Sequence, residues 1–102
     1  MSKPKTLAAI FNAAADAIEK YGHAIGELRD SRGRMCLWGA VSFVVDGDPY
    51  IASTRTHKML DHLIPFTAGI SPIAWNNRHG RKKWQVVAML RKAATALRGH
   101  HV

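Results

Sequence analysis

The side chains that could do chemistry are few. The single cysteine, Cys36, follows Gly33-Arg34 and stands where a helix could begin. A helix start and a nearby arginine both favour a thiolate. With His57 or His79 and Asn76 or Asn77, it could assemble a Cys-His-Asn constellation for nucleophilic catalysis. Its neighbours in Met35-Cys36-Leu37-Trp38 describe instead a small buried hydrophobe. Cys36 is therefore expected to be structural, and no catalytic residue is assigned. His57 and Asp61 lie one helical turn apart, His62 is turned away, and His100 and His101 are adjacent at the end of the chain. Two-ligand spacing without a third and fourth ligand does not make a metal site, so neither metal nor cofactor is expected. G-x-S-x-G, phosphate-loop and H-E-x-x-H patterns are absent.

The densest functional signal is AWNNRHGRKKW, residues 74–84. Its first half reads as a corner: an indole can fill a gap between helices, and an asparagine can bond loop backbone or cap a helix. The competing reading is a small polar pocket at Trp75-Asn76. The second half reads as a surface. Arg78, Arg81, Lys82 and Lys83 surround a helix start, and Trp84, Arg91 and Arg98 recur at a spacing of seven along one flank. An aromatic bordered by arginine suits a binding face for protein or nucleic acid. Lysines at a helix N-terminus oppose the helix dipole, a cost that suggests the charge is used.

Charge distribution supports that expectation. The chain has 102 residues and a net charge of +8. Residues 1–48 balance six Lys and Arg with six acids, whereas residues 49–102 hold nine Lys and Arg against Asp61 alone. Such asymmetry points to an anionic partner or to a solvated basic surface. The apolar run at 35–45 is too short to span a bilayer, which needs about 20 residues. One cysteine excludes an intramolecular disulfide framework. A soluble, cytoplasmic protein of one domain, residues 1–102, is expected.

Helices must position these groups. Leu7, Ile10, Phe11, Ala14, Ala15, Ile18 and Tyr21 share one face of a first helix, with Pro4 in its first turn and Gly22 as a left-handed stop. Residues 35–45 are read as a short buried helix, with a hairpin at Asp46-Gly47 as the alternative. A third helix is expected from about Tyr50 or Ala52 to Ile64, then a loop over residues 66–80. A last helix runs from about Lys82 to Arg98, burying Val86, Val87, Leu90, Ala93, Ala94 and Leu97. The fold class is all-α, with about four helices.

The order Cys36-x-x-Gly39-Ala40, Trp75-Asn76-Asn77, Gly80-Arg81 and Val86-x-x-x-Leu90-x-x-Ala93-Ala94 resembles a family of small uncharacterised proteins, a domain of unknown function, from actinobacteria and their phages. The resemblance covers roughly residues 7–97. It implies a phage or actinobacterial setting, in the host cytoplasm if phage-encoded, and no established activity. Asn77 stands where the family usually has Asp, and Lys82 where it usually has Thr. A Thr there, three residues before Gln85, would make a capping box, so Asn77 or Gly80 is the candidate cap in its place. The function expected is a small non-enzymatic binding protein engaging a host or phage protein, with a nucleic-acid accessory protein as the alternative. An enzyme at Cys36 is the distant third.

Overall fold

Leu7–Tyr21 form α1, a helix with no glycine or proline inside it. In the computed structural model, which describes residues 4–100, α1 is the axis of the core. His101 of the terminal histidine pair lies outside the described residues. The cap is Thr6, whose hydroxyl accepts the Ala9 N–H at 3.1 Å, so Pro4 precedes the first turn and is not part of it. Gly22 does end the helix with positive φ, but its ψ of 169° is extended and not left-handed helical. The turn redirects the chain so that Met35 N–H can reach the Gly22 carbonyl.

The ambiguous apolar run is helical. Leu37–Asp46 form α2, and Gly47 closes it in the left-handed conformation. The Asp46-Gly47 pair that could have made a hairpin is thus a helix end. The third helix is shorter than expected: α3 spans Thr54–Asp61, capped by the Ser53 hydroxyl. Residues 50–53 are drawn into a turn because the Ser42 hydroxyl accepts the Ala52 N–H and Asp46 accepts the Ser53 N–H. A 3-10 turn at Ile64–Phe66 carries Pro65. Inside the expected loop lies α4, Pro72–Asn76, with Ser71 as cap and Pro72 as first residue, a start signal that the sequence carries openly. The last helix, α5, spans Lys83–Ala96.

The 3.6-residue faces pack as their periodicity requires. α1 packs against both α5 and α2, α3 and α4 both rest on α2, and the 3-10 turn touches α5. Phe11, Ile18, Leu37, Val41, Leu63, Val86 and Leu90 are fully buried in one cluster. Leu97, expected in the core, is only partly buried at its edge.

Candidate functional site

Two places concentrate the residues singled out by the sequence. The first is the N-terminus of α2. Asn76, only 1% exposed, reaches it from α4. Its side-chain oxygen accepts the Leu37 N–H at 3.0 Å and pairs with His23 Nε2 at 2.7 Å. Its Nδ2 donates to the Ala24 carbonyl at 3.2 Å and to Asn77 Oδ1 at 2.9 Å. The backbone N–H of Leu37 can only donate, so the atom facing it is oxygen and His23 Nε2 must carry a proton. Burial lowers the pKa of His23, and Arg81 and Arg34 act in the same direction against the favourable bond to Asn76. Asn77 Oδ1 also accepts the Gly26 N–H at 2.9 Å. It therefore fastens the 23–28 segment and does not cap α5. Trp75 is partly buried, and the Arg81 guanidinium lies 3.8 Å above its ring centre while Arg81 Nε donates to the Trp75 carbonyl.

The Cys36-x-x-Gly39 spacing belongs to the same corner. Cys36 is the N-cap of α2, and its sulfur accepts the Gly39 N–H at 3.3 Å. Burial pushes the thiol pKa up, and the weaker pull of the Gly39 and Trp38 N–H groups does not offset it. The helix-start lowering imagined for a reactive thiol is thus outweighed by desolvation. Gly39 is needed for space: a Cβ there would stand 1.9 Å from the Leu28 carbonyl oxygen. His57 packs against Trp38, with ring centres 5.8 Å apart, and His79 is exposed. Among the described residues no histidine bonds Cys36, and no three His, Cys, Asp or Glu gather as for a metal. A cleft of about 220 Å³ opens beside this corner, lined by Gly26, Glu27, Leu28, Cys36, Trp38, Ile73 and Asn77. Asn76 is not part of its wall.

The second place is the start of α5. Trp84 is 66% exposed. Lys82 and Lys83 directly precede it and Arg78 stands six residues before it; all three are exposed and form no ion pair among the described residues. Lys82 is the N-cap; its N–H donates to Gln85 Oε1 at 2.9 Å, half of a capping box. A lysine side chain has no acceptor to return to the Gln85 N–H, so the other half is missing. The remaining expected binding residues are engaged inside the molecule. Arg81 covers Trp75. Arg91 binds α1, with Asp16 at 2.6 Å, Glu19 at 3.6 Å and the Asn12 carbonyl at 3.0 Å. Arg98 is exposed just past the end of α5. Sequence reasoning missed Lys92, which is exposed two turns beyond Trp84 on the same outward face.

It also missed Asp46. That carboxylate accepts from the Ser53 hydroxyl at 2.7 Å, the Thr56 hydroxyl at 2.8 Å and the Ser53 N–H at 3.1 Å, joining the end of α2 to the start of α3. Burial pushes its pKa up, but the bonds from Ser53 and Thr56 outweigh burial and hold it below its ordinary value. A Ser/Thr pair three apart after an Asp-Gly turn was the available signal.

The sequence profile of a family of unknown function, DUF6197, matches residues 2–96. No curated protein and no solved structure matches the chain. The chain belongs to the DUF6197 family.

Proposed function

We propose that this member of the DUF6197 family is a non-enzymatic binding protein that meets an anionic macromolecule through the start and outward side of α5. The observation that carries this reading is Trp84. An indole left 66% exposed forgoes much of the roughly 1.5–3 kcal/mol that burial of a large apolar side chain provides. It follows cations, Arg78, Lys82 and Lys83, that pair with no acid among the described residues. Arg78, Lys82, Lys83 and Trp84 are the contact residues. Arg98 extends the positive field, and Arg81 and Arg91 add to it while their guanidinium groups stay bound to Trp75 and α1. The expected partner is a host or phage macromolecule, the sequence having put a protein first and a nucleic acid second. The actinobacterial or phage setting and the cytoplasm belong to the same proposal. Cys36 offers no comparable support for an enzyme, because its thiol is buried, raised in pKa and already bonded to Gly39.

The test is binding to three polyanions, poly-glutamate, heparin and an oligonucleotide, at about 50 and 150 mM salt, where the Debye length falls to about 8 Å. At least one should bind, and Trp84→Ala should weaken it. The combined change of Arg78, Lys82 and Lys83 to Gln should weaken it further; Arg81 is left in place because it covers Trp75. Failure of all three polyanions to bind would make this face a solvated surface.

A further inference from the structure

We infer that the anionic partner is a single-stranded nucleic acid, with Trp84 stacked on an unpaired base and Lys82, Lys83, Arg78 and Lys92 set against the neighbouring phosphates. The inference rests on the binding reading above and narrows it.

Three features favour this partner. The first is the kind of cation. Protein interfaces gather aromatic side chains and arginine in an apolar centre and are depleted in lysine. From residue 82 to 92 the exposed residues other than Trp84 are Lys82, Lys83, Ala88 and Lys92, cationic or small. Of the arginines, Arg81 and Arg91 are occupied by Trp75 and by the acids of α1, so the exposed cations are mainly the lysines Lys82, Lys83 and Lys92, with Arg78 before α5 and Arg98 after it. A positively charged surface beside a stacking aromatic is the combination that single strands use, and base stacking on an indole is tolerant of sequence.

The second feature is layout. Trp84, Ala88, Lys92 and Thr95 recur on one exposed face of α5, and all four lie in solvent. From Lys82 to Lys92 the helix rises about 15 Å. That run suits a short single-strand site, of about four nucleotides. Ala88 leaves room between the indole and Lys92 for a strand to lie close.

The third feature argues against a duplex. In a duplex the base faces are already stacked, so an outward indole gains nothing without first unstacking a step. Nor do α4 and α5 make a helix-turn-helix: α4 has five residues, Pro72–Asn76, and six more separate it from α5.

The test uses fluorescence anisotropy with the whole chain and a labelled twelve-thymidine strand, against a duplex of the same length and poly-glutamate of matched charge. The single strand should bind at least tenfold more tightly than either. Trp84→Ala should weaken it about tenfold, and Trp84→Phe should restore most of the loss. The triple change of Arg78, Lys82 and Lys83 to Gln should reduce the slope of log K against log salt by about two. A thermal melt of each variant confirms that the fold is retained, since these side chains are exposed. Equal or tighter binding of the duplex, or single-strand binding indifferent to Trp84, would overturn the inference. Trp84-dependent binding of poly-glutamate without the single strand would also overturn it, while leaving the broader binding reading standing. No binding of any polyanion would end both.

Discussion

Asn76 uses its full hydrogen-bonding capacity in four bonds, with both oxygen lone pairs and both N–H groups engaged. Asn76→Ala would strand the Leu37 N–H, the Ala24 carbonyl and His23 together. Leaving one buried polar group unsatisfied costs about 1–3 kcal/mol. We expect at least about 3 kcal/mol from urea unfolding, and a loss below about 1 kcal/mol would mean that the corner is rebuilt by water. The neighbouring Asn77→Asp should be tolerated within about 1 kcal/mol. Its working atom is a carbonyl oxygen facing two donors, which a carboxylate also supplies. His23 gives the corner a pH signature. Its folded pKa lies below the ordinary 6.5, so the unfolded chain takes up the proton first as pH falls. Stability should be level above about pH 7 and decline as pH falls through 6.5 towards the lower folded value. His23→Gln keeps an N–H for Asn76 and should flatten that slope between pH 7 and 5. An unchanged slope in this variant would assign the dependence to another group.

Elements differ in how much of themselves the sequence reveals. α1 and α5 were legible because their apolar positions fit only the helical period. The run of α2 is apolar on every side, so its period is uninformative; what decides it is Cys36 and Asn76 capping its first turn, the latter from 39 positions away. The boundaries of α3 were misjudged for the same reason, since Asp46 and Ser42 take backbone groups that a longer helix would have used. At the candidate site the cationic cluster could be read directly, but the diversion of Arg81 and Arg91 could not, because their partners lie on other elements. The start of α5 shows a local choice that works against the helix. Lys82 supplies the backbone half of a capping box and no side-chain acceptor. Lys82→Thr should complete the box and raise stability by about 0.5–1 kcal/mol, measured as a rise in midpoint at unchanged m-value. The same change should weaken polyanion binding. Stability and binding would then move in opposite directions at one residue, as expected where a cap has been given up for charge. A Thr variant no more stable than the parent would mean that the lysine costs the helix nothing.

At the scale of the whole molecule, the net charge of +8 is an imbalance that the fold relieves only in part. Arg91 returns to Asp16 and Glu19, and Arg34 to Asp30, but Arg78, Lys82 and Lys83 have no acid to meet among the described residues. Three cations within six positions repel one another, and the compact state brings them closer to the rest of the basic half than the unfolded chain does. Self-repulsion of this kind destabilises the folded form and is screened by salt. The melting temperature should therefore rise between about 20 and 150 mM sodium chloride, over which the Debye length shortens to about 8 Å. Neutralising Arg78, Lys82 and Lys83 with Gln should raise stability at low salt and remove most of the salt dependence. Neutralising Arg91 should do the reverse, because its charge is matched by α1 and its loss leaves Asp16 and Glu19 unpaired. A bound polyanion replaces the salt: it should raise the melting temperature of the parent at 20 mM and leave the triple variant nearly unmoved. If the parent is as stable at 20 mM as at 150 mM, the basic face is too well solvated to repel itself, and a partner would gain little by neutralising it.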